Sequence, residues 1–276
     1  MIELIDVDAG YGKAIKLFSI GCTIPTGSIV SVIGPNGSGK STLLKTILGM
    51  LSTHKGQVLI DGRDVSLYRK DQLARIIAFL PQNRNIPIIT VERMILHGRF
   101  PYLAYPRRYL ERDYELVEKA LDNYGLLELR HRQLQDLSGG ERQRVYLAMA
   151  GVQDSEYYLF DEPTTYLDIA HQFEFLDQIR QLKKRGKTCV VVLHDLESAL
   201  KIADFILVLE EGKLVFQGDH KKLIEQRILE QVFHIQVRCV EDEIGGQWYY
   251  IISPIDFSFV EDYNHMVKKT SNKLKM

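Results

Sequence analysis

The residues of this chain whose spacing points most directly to chemistry form one glycine-rich segment. The segment Gly34-Pro35-Asn36-Gly37-Ser38-Gly39-Lys40-Ser41-Thr42 fits the pattern G-x-x-x-x-G-K-[S/T] without a mismatch. An apolar run before it predicts a buried strand, and the spacing after it predicts a helix over residues 41–51. Such a loop wraps around a polyphosphate, and the helix N-terminus adds free N–H groups. We therefore predict that Lys40 bridges the β and γ phosphates and that the Ser41 hydroxyl ligates Mg²⁺, rather than a glycine-rich turn with a chance lysine.

A second group of polar residues follows strands predicted later in the chain. Asp161 and Glu162 come after an apolar run at 157–160, and His194 closes another at 188–193. The carboxyl ends of strands in open α/β sheets are where ligands bind. We predict that Asp161 holds the metal, directly or through water, and that Glu162 polarises the attacking water. His194 is predicted to contact the γ-phosphate, the other interpretation being a structural histidine.

A second anion site is predicted at Leu137-Ser138-Gly139-Gly140-Glu141, which opens a helix through Gln153. Ser138 is a suitable N-cap, and the two glycines allow the backbone to approach a ligand closely. Free N–H groups at a helix N-terminus favour an anion. A chain with one phosphate loop and a second reader of the γ-phosphate suggests a composite nucleotide site.

Composition and charge narrow the class of protein. The chain has 276 residues, of which 45% are apolar and 26% charged, as is ordinary for a globular protein of one large or two modest domains. A net charge of −1 argues against a protein held mainly on nucleic-acid phosphates. The apolar runs are far shorter than the about 20 residues of a membrane helix, and the acidic start predicts no signal peptide. Cys22, Cys189 and Cys239 are scattered, which predicts reduced thiols and not metal ligands.

Periodicity and turn residues predict the supporting elements. An edge strand is expected over residues 2–8, followed by a Gly10-Tyr11-Gly12 turn. A tyrosine there either stacks on a purine or is an ordinary packing or surface residue. Further strands are predicted at 17–24, 28–34, 56–60 and 76–80, and helices at 70–75 and 110–130. Residues 235–252 predict a small hairpin around Gly245-Gly246, packed by Trp248-Tyr249-Tyr250. The lysine-rich tail from Lys268 is expected to be disordered, although an anionic membrane surface would attract it.

A change in composition marks the segment between Pro81 and Pro106, which holds four of the eight prolines. Because proline breaks helices and cannot serve central strands, an irregular surface segment is predicted there. Its apolar residues include Ile88 and Phe100. Apolar residues on an irregular surface indicate either a docking site or a loop folded over its own core, and both interpretations stay open.

These motifs together resemble the ATPase subunit of ATP-binding cassette (ABC) transporters over about residues 1–230. The phosphate loop, Gln82, the segment from Leu137 to Glu141, the pair Asp161-Glu162, Asp168 and His194 stand in the family's order. The resemblance implies an α/β fold of the P-loop NTPase class. It implies a RecA-like core at about 1–82 and 157–230, with an antiparallel β edge, an inserted helical subdomain at about 83–156 and a short C-terminal part at 231–276.

The resemblance also implies an ATPase that uses ATP and Mg²⁺ as a sandwich dimer with a second copy of itself. Each ATP would lie between Lys40 of one copy and residues 138–140 of the other. Tyr11 would stack on adenine, Gln82 would contact Mg²⁺ and the water, and Asp168 would lie at the dimer seam. The chain would sit peripherally on the cytoplasmic face of the membrane. Permease subunits would dock at about residues 82–105, with a substrate-binding protein acting indirectly and no nucleic acid involved.

A narrower resemblance concerns the transported substrate. Asp161-Glu162-Pro163-Thr164-Thr165-Tyr166-Leu167-Asp168 and Gly98-Arg99-Phe100-Pro101-Tyr102 are similar to the importer subfamily for ferric siderophores, haem and vitamin B12. Uptake of a metal chelate is therefore the implied function. Three alternatives remain: an importer ATPase for a metal ion or oxyanion, a soluble non-transport ABC ATPase, and a phosphotransferase. The sequence shows neither heptads nor a second phosphate loop, which argues against the soluble non-transport ATPase. A phosphotransferase would have no use for the segment from Leu137 to Glu141. A pure scaffold would not need Glu162 after Asp161.

Overall fold

The structure, a computed structural model, describes residues 1–82, 86–165, 167–241 and 248–254. The chain divides into two compact units, residues 1–220 and the part from Lys221 onwards. This division falls before the boundary predicted at residue 230, which stays a prediction. Within the described residues, none of the helices combines the length and the apolar character needed to cross a membrane.

The first unit alternates strands and helices. Its strands are β1 (Ile2–Tyr11), β2 (Ala14–Ile24), β3 (Ile29–Ile33), β4 (Thr53–Ile60), β5 (Arg63–Asp64), β6 (Ile77–Leu80), β7 (Tyr157–Asp161), β8 (Thr188–Val192), β9 (Phe205–Glu210) and β10 (Lys213–Gly218). Its helices are α1 (Lys40–Ile47), α2 (Lys70–Ile76), α3 (Val91–Leu96), α4 (Glu111–Asn123), α5 (Gly139–Gln153), α6 (Ile169–Lys184) and α7 (Leu196–Ile202), and α8 (His220–Glu225) begins at its last residue. Short 3-10 turns span Val65–Leu67, His97–Tyr102, Leu127–Leu129 and Leu134–Asp136.

A six-stranded sheet of order β10-β9-β3-β8-β7-β6 forms the centre of this unit. Its strands run parallel except for the pair β9 and β10. Every residue of β3, β7 and β8 is buried. Parallel strands covered on both faces are continuously apolar, which is why short apolar runs predicted them correctly. The strand predicted at 188–193 is one residue shorter, because β8 ends at Val192.

A second, antiparallel sheet has the order β2-β1-β4-β5. The prediction of an edge strand at residues 2–8 is wrong, because β1 pairs with β2 on one side and β4 on the other. The alternation in its sequence reflects one partly exposed face, not an edge position. Tyr11 is the last residue of β1 and not the centre of a turn, which lies at residues 12–13.

Helices α3, α4 and α5 pack against one another and are inserted between β6 and β7, and the helical subdomain at about 83–156 stays a prediction. Helix α3 lies inside the segment predicted to be irregular, so that prediction is partly wrong. The stretch between Pro87 and Pro101 contains no proline, and the Thr90 side chain caps α3. The helices predicted at 41–51 and 110–130 are shorter, because α1 ends at Ile47 and α4 at Asn123.

The 3-10 turn at His97–Tyr102 is held against the C-terminus of α5. Arg99 Nη1 donates to the carbonyl oxygen of Val152 at 2.8 Å, and the Tyr102 hydroxyl donates to that of Gln153 at 2.8 Å. The last carbonyls of a helix have no partner within it, so these side chains satisfy them. The Gln153 amide in turn donates to the backbone carbonyls of Ala74 and Ile77. The end of α5 is therefore tied both to this turn and to the sheet.

A buried ion pair anchors the same turn. Arg99 Nε lies 3.0 Å from Asp113 Oδ1, and the two residues are 7% and 2% exposed. Burial opposes ionisation of Asp113, but hydrogen bonds from the Leu110 amide and from Arg99 outweigh it and hold the pKa of this carboxyl below its usual range.

The second unit contains α9 (Ile228–Phe233), β11 (Ile235–Glu241) and β12 (Trp248–Pro254). Strands β11 and β12 pair antiparallel, as expected of the predicted hairpin, and Tyr250 is buried. Several predictions fall outside the description: Asn83, Arg84 and Asn85 in the proline-rich segment, Tyr166, the turn at Gly245-Gly246, the side chains of Trp248 and Tyr249, and the tail from Lys268.

The buried pair supplies a test of this packing. We expect Asp113→Asn to reduce the free energy of unfolding by roughly 3 kcal/mol at neutral pH, because the buried Arg99 cation loses its counter-charge. The pKa of Asp113 is lower in the folded state, so its contribution is complete above pH 3.8 and is lost as pH falls through the folded-state value. Urea denaturation of the wild type and of Asp113→Asn, at neutral pH and below pH 3.8, measures this. The difference between their free energies of unfolding should be smaller at the acid pH. The exposed pair Arg69–Asp71 provides the control: Asp71→Asn should change little at either pH. Equal effects of the two substitutions would contradict this assignment.

Candidate nucleotide-binding site

The phosphate loop joins the end of β3 to the start of α1. Lys40 is 6% exposed, and its Nζ donates to the carbonyl oxygens of Gly34 and Pro35 at 2.8 and 2.9 Å. Burial lowers the pKa of Lys40, although the carboxylates of Glu162 and Asp161 oppose this. Among the described residues, Ser38 Oγ is buried without a hydrogen-bond partner. A buried cation and an unsatisfied hydroxyl in one loop suit a polyphosphate ligand.

Gly34 fixes the shape of this loop. Its φ is +155°, and a Cβ built on it would fall 2.1 Å from the carbonyl oxygen of Leu209 and 2.6 Å from Ser38 Oγ. The loop therefore runs directly against the backbone of β9, and only glycine fits at this approach.

Ser41 and Asp161 meet between α1 and the end of β7. Ser41 Oγ donates to Asp161 Oδ1 at 2.9 Å, and Asp161 is 3% exposed. Burial raises the pKa of Asp161, and the hydrogen bond from Ser41 opposes that shift. A hydroxyl and a carboxylate are the oxygen donors that Mg²⁺ takes from proteins, so the residues present fit this ion.

Glu162 is the point at which three predicted residues come together. His194 Nε2 lies 2.8 Å from Glu162 Oε2, and the Gln82 amide donates to the same oxygen. Glu162 has a left-handed φ of 48° directly after β7 ends. Such a backbone costs about 1 kcal/mol for a residue with a Cβ. This backbone turn places the Glu162 carboxylate in contact with both Gln82 and His194.

Tyr11 lies beside α1 and is half exposed. Lys45 Nζ is 3.2 Å from the Tyr11 hydroxyl and 5.6 Å from the centre of its ring. Lys45 was not among the predicted site residues. Its position four residues after Ser41 places both on one face of the helix, and this spacing was available in the sequence.

The segment at the start of α5 forms the expected cap. The Ser138 hydroxyl accepts from the Glu141 amide at 3.2 Å, and the Ser138 amide donates to Glu141 Oε2 at 2.7 Å. Hydrogen bonding from Ser138 holds the pKa of Glu141 below its usual range. The predicted N-cap and the predicted helix from Gly139 through Gln153 are both confirmed. The Glu141 amide is used by this cap, so the amides of Gly139 and Gly140 are the ones left to donate to an anion.

Asp168 caps α6 in a similar way. Its Oδ1 accepts from the His171 amide at 2.9 Å and lies 2.7 Å from His171 Nδ1. Hydrogen bonding from the His171 amide lowers the pKa of Asp168. The other side of the His171 ring lies against Gly140. His171 is not among the predicted site residues, although its spacing of three from an N-cap aspartate is a usable signal.

The predicted residues thus fall into two clusters. The first, here called the phosphate cluster, contains Lys40, Ser41, Gln82, Asp161, Glu162 and His194. The second, the signature cluster, contains residues 138–141 and Asp168, together with His171, which was not predicted. A cleft of about 220 Å³ brings Gly139 of the second cluster near Gln82 and Glu162 of the first, with Arg142 and Tyr146 as further lining residues that were not predicted. The contact of His194 with the γ-phosphate, that of Gln82 with Mg²⁺ and the stacking of Tyr11 stay predictions.

At one edge of the sheet lie a phosphate loop, oxygen donors of the kind that Mg²⁺ takes, and a carboxylate held by two neighbours. Together they define a nucleotide-hydrolysing protein of the P-loop class. The ABC transporter family model matches residues 17–165. The chain belongs to the ABC transporter family and is an ATP-binding ATPase subunit. The transport relatives and the cassette solved as a dimer, described below, suggest dimerisation and permease partners.

The similarity to individual relatives extends over most of the chain. The chain is 37% identical over 239 residues to the ferric enterobactin transport ATP-binding protein FepC of Escherichia coli (strain K12), covering 86% of this chain and 88% of the relative. It is 38% identical over 235 residues to the iron(3+)-hydroxamate import ATP-binding protein FhuC of Bacillus subtilis (strain 168), covering 84% and 87%.

Solved structures agree with this assignment. A chain of a metal-chelate type ABC transporter in an inward-facing conformation superposes with a TM-score of 0.78 at 26% identity, covering 92% of this chain and 96% of that one. A bacterial ABC transporter cassette solved as a dimer gives a TM-score of 0.69 at 28% identity, covering 79% and 98%. The expected P-loop NTPase fold of the ABC ATPase type is confirmed.

The close approach at Gly34 leads to a prediction about the loop. We expect Gly34→Ala to weaken ATP binding by about tenfold or more, because the added Cβ would push the loop away from Leu209. The free energy of unfolding should also fall by roughly 2 kcal/mol. Gly21→Ala is the control, since a Cβ on Gly21 meets nothing within 4 Å. Titration with a fluorescent ATP analogue and denaturant unfolding measure both effects, and equal behaviour of the two variants would refute the steric argument.

Proposed function

We propose that this chain energises the uptake of a metal chelate of the ferric-siderophore type, as the ATP-hydrolysing subunit of an importer on the cytoplasmic face of the membrane. The observation that carries this proposal is the similarity to FepC and FhuC, proteins of ferric enterobactin transport and iron(3+)-hydroxamate import, over more than four fifths of the chain. The similarity to a metal-chelate type transporter structure supports it. An importer for another substrate, such as a metal ion or oxyanion, is the second candidate.

ATP binding begins at the phosphate loop. Its amides and the N-terminus of α1 receive the β and γ phosphates. Lys40 Nζ exchanges its contacts with the carbonyl oxygens of Gly34 and Pro35 for phosphate oxygens, which are stronger partners for an ammonium group. Mg²⁺, held by Ser41, Asp161 and Gln82, would neutralise charge on the phosphates.

Hydrolysis depends on Glu162, which accepts hydrogen bonds from the attacking water and polarises it. His194 and Gln82 both contact its Oε2, so they hold the carboxylate in one orientation. His194 is half exposed, which leaves its ring able to reach a γ-phosphate as well.

Dimerisation completes the site. The N–H groups at the start of α5 gain a γ-phosphate partner only when a second copy closes over the first. Hydrolysis removes that partner, and the dimer reopens. Binding and cleavage of ATP would therefore alternate closed and open dimers, a rigid-body change that a transporter can use.

The movement would pass to the permease through a groove beside α2 and the His97–Tyr102 turn. This groove has a volume of about 930 Å³, and its lining includes Arg75, Phe100, Pro101 and Tyr105. Phe100 and Tyr105 are exposed. Apolar groups on a concave surface suit a short helix of a partner protein.

The assigned base supplies the main test. We expect purified Glu162→Gln to bind ATP but to hydrolyse it at least about 100-fold more slowly, since a neutral amide cannot act as a base. The variant should accumulate as an ATP-bound dimer, measured by size-exclusion chromatography with light scattering. Glu211→Gln is a matched control, because Glu211 has an equally left-handed φ of 47° and belongs to neither the phosphate cluster nor the signature cluster. Wild-type turnover in Glu162→Gln would remove Glu162 as the base.

The same pair of variants tests the transported substrate. In cells whose chromosomal copy carries Glu162→Gln, accumulation of radioactive iron supplied as a ferric siderophore should fall to background, whereas Glu211→Gln cells should take it up normally. Parallel assays with cobalamin, haem and free metal ions identify the substrate class if ferric siderophores are unaffected. A soluble non-transport ATPase would leave all of these uptakes unchanged.

The docking groove is tested by charge. Phe100→Glu in the groove, and Ile88→Glu at an exposed apolar position elsewhere in the predicted docking segment, should abolish co-purification with the permease subunits and leave ATP binding intact, because a charge in an apolar contact is costly to desolvate. Val215→Glu on β10 adds the same charge at another exposed apolar position and should co-purify normally. Unchanged co-purification of all three variants would argue against docking at this groove.

A further inference from the structure

The side chain of His171 contacts both Asp168 and Gly140, two residues of the signature cluster that belong to separate sequence motifs. A Cβ built on Gly140 would fall 2.3 Å from both Cδ2 and Nε2 of His171, so this edge of the imidazole lies directly on the glycine. On the opposite side of the ring, Nδ1 lies 2.7 Å from Asp168 Oδ1. The ring of His171 therefore bridges the N-cap of α6 and the first turn of α5.

We infer that His171 is a positioning residue that couples Asp168 to the first turn of α5 within one protomer. Through it, the orientation of the Asp168 carboxylate and the position of the Gly140 backbone are set together. This inference rests on the proposed ATP-closed dimer, in which Asp168 lies at the seam and the start of α5 meets the γ-phosphate of the other copy.

The capping of α6 does not explain the ring. The backbone amide of His171 already donates to Asp168 Oδ1 at 2.9 Å, which is the bond that an N-cap aspartate requires. An alanine at position 171 would keep this amide. The imidazole adds a second bond to the same oxygen and a contact with another helix, and both can be removed without removing the cap.

The location of the bridge gives it consequences for closure. Asp168 has a side chain that is 65% exposed, so a partner protomer can reach it. Gly140 is buried under the ring and lies two residues after Ser138. A displacement of Asp168 by a partner would press the ring on the turn of α5 that presents its N–H groups. The seam and the anion site would then be engaged together, which is a coupling between two contacts of one interface.

Removal of the ring tests this role in the Glu162→Gln background, where the dimer accumulates. His171→Ala should raise the ATP concentration that gives half-maximal dimer by about tenfold, the size of an ordinary coupling. ATP binding to the dilute monomer should not change, because the phosphate loop is untouched. His171→Asn can keep the bond to Asp168 through its amide nitrogen but cannot reach Gly140, so it should restore only part of the dimerisation. Arg180→Ala, on the exposed side of α6, is the matched control.

A second measurement tests the contact itself without requiring dimerisation. Gly140→Ala should lower the melting temperature of the wild-type chain by several degrees, since its Cβ would overlap the ring. The same substitution should cost much less in His171→Ala, and this non-additivity reports direct contact. Additive effects would overturn the bridge.

The outcomes separate the inference from the proposed function. If Glu162→Gln with an intact His171 does not dimerise with ATP, the proposed dimer is wrong and the coupling fails with it. If it dimerises and His171→Ala dimerises at the same ATP concentration, the dimer stands and the coupling is overturned. Reduced ATP binding to the monomeric His171→Ala would also overturn it, because the effect would then arise within the phosphate cluster.

Discussion

Parallel pairing among four strands is the constraint on which the site depends. Val32 of β3 and Asp161 of β7 both pair with Val192 of β8, and Leu80 of β6 pairs with Phe160. In parallel strands this register brings every carboxyl end to the same edge of the sheet. Residues that are far apart in the chain therefore leave the sheet side by side. A slip of one residue in any of these pairs would turn the side chain at the strand end to the other face.

The same constraint gathers the phosphate cluster at one edge of the sheet and leaves the signature cluster outside the sheet. Its members lie at ends of buried strands or on α1, and Gly34 seals the loop against β9. The signature cluster is carried by α5 and α6, which pack on the sheet from outside it. Its free N–H groups belong to the start of α5, where the Ser138 capping box uses only some of them. In the proposed dimer, a second copy would supply the phosphate that these groups bind.

The sequence was a good guide wherever the structure follows from local rules. The phosphate loop, the strands before Asp161 and His194, and the cap at Ser138 are set by residues within a few positions of each other. It failed where a distant partner decides, as for β1, whose central position depends on pairing with β4. The bond from Gln82 to Glu162 and the contact of His171 with Gly140 likewise join separate elements, which no spacing rule reaches.

The double anchoring of Gln153 has a mechanical consequence. Its amide is bonded to the strand side of the molecule through Ala74 and Ile77, while its carbonyl is bonded to Tyr102. If this end of α5 stays in place while the helix turns, it is the pivot of a lever about 22 Å long. A swing of about 10° around this pivot would carry Ser138 through about 4 Å and would barely move the groove beside it. A small displacement of a partner protein bound in that groove would therefore correspond to a large displacement of Ser138 at the other end of α5.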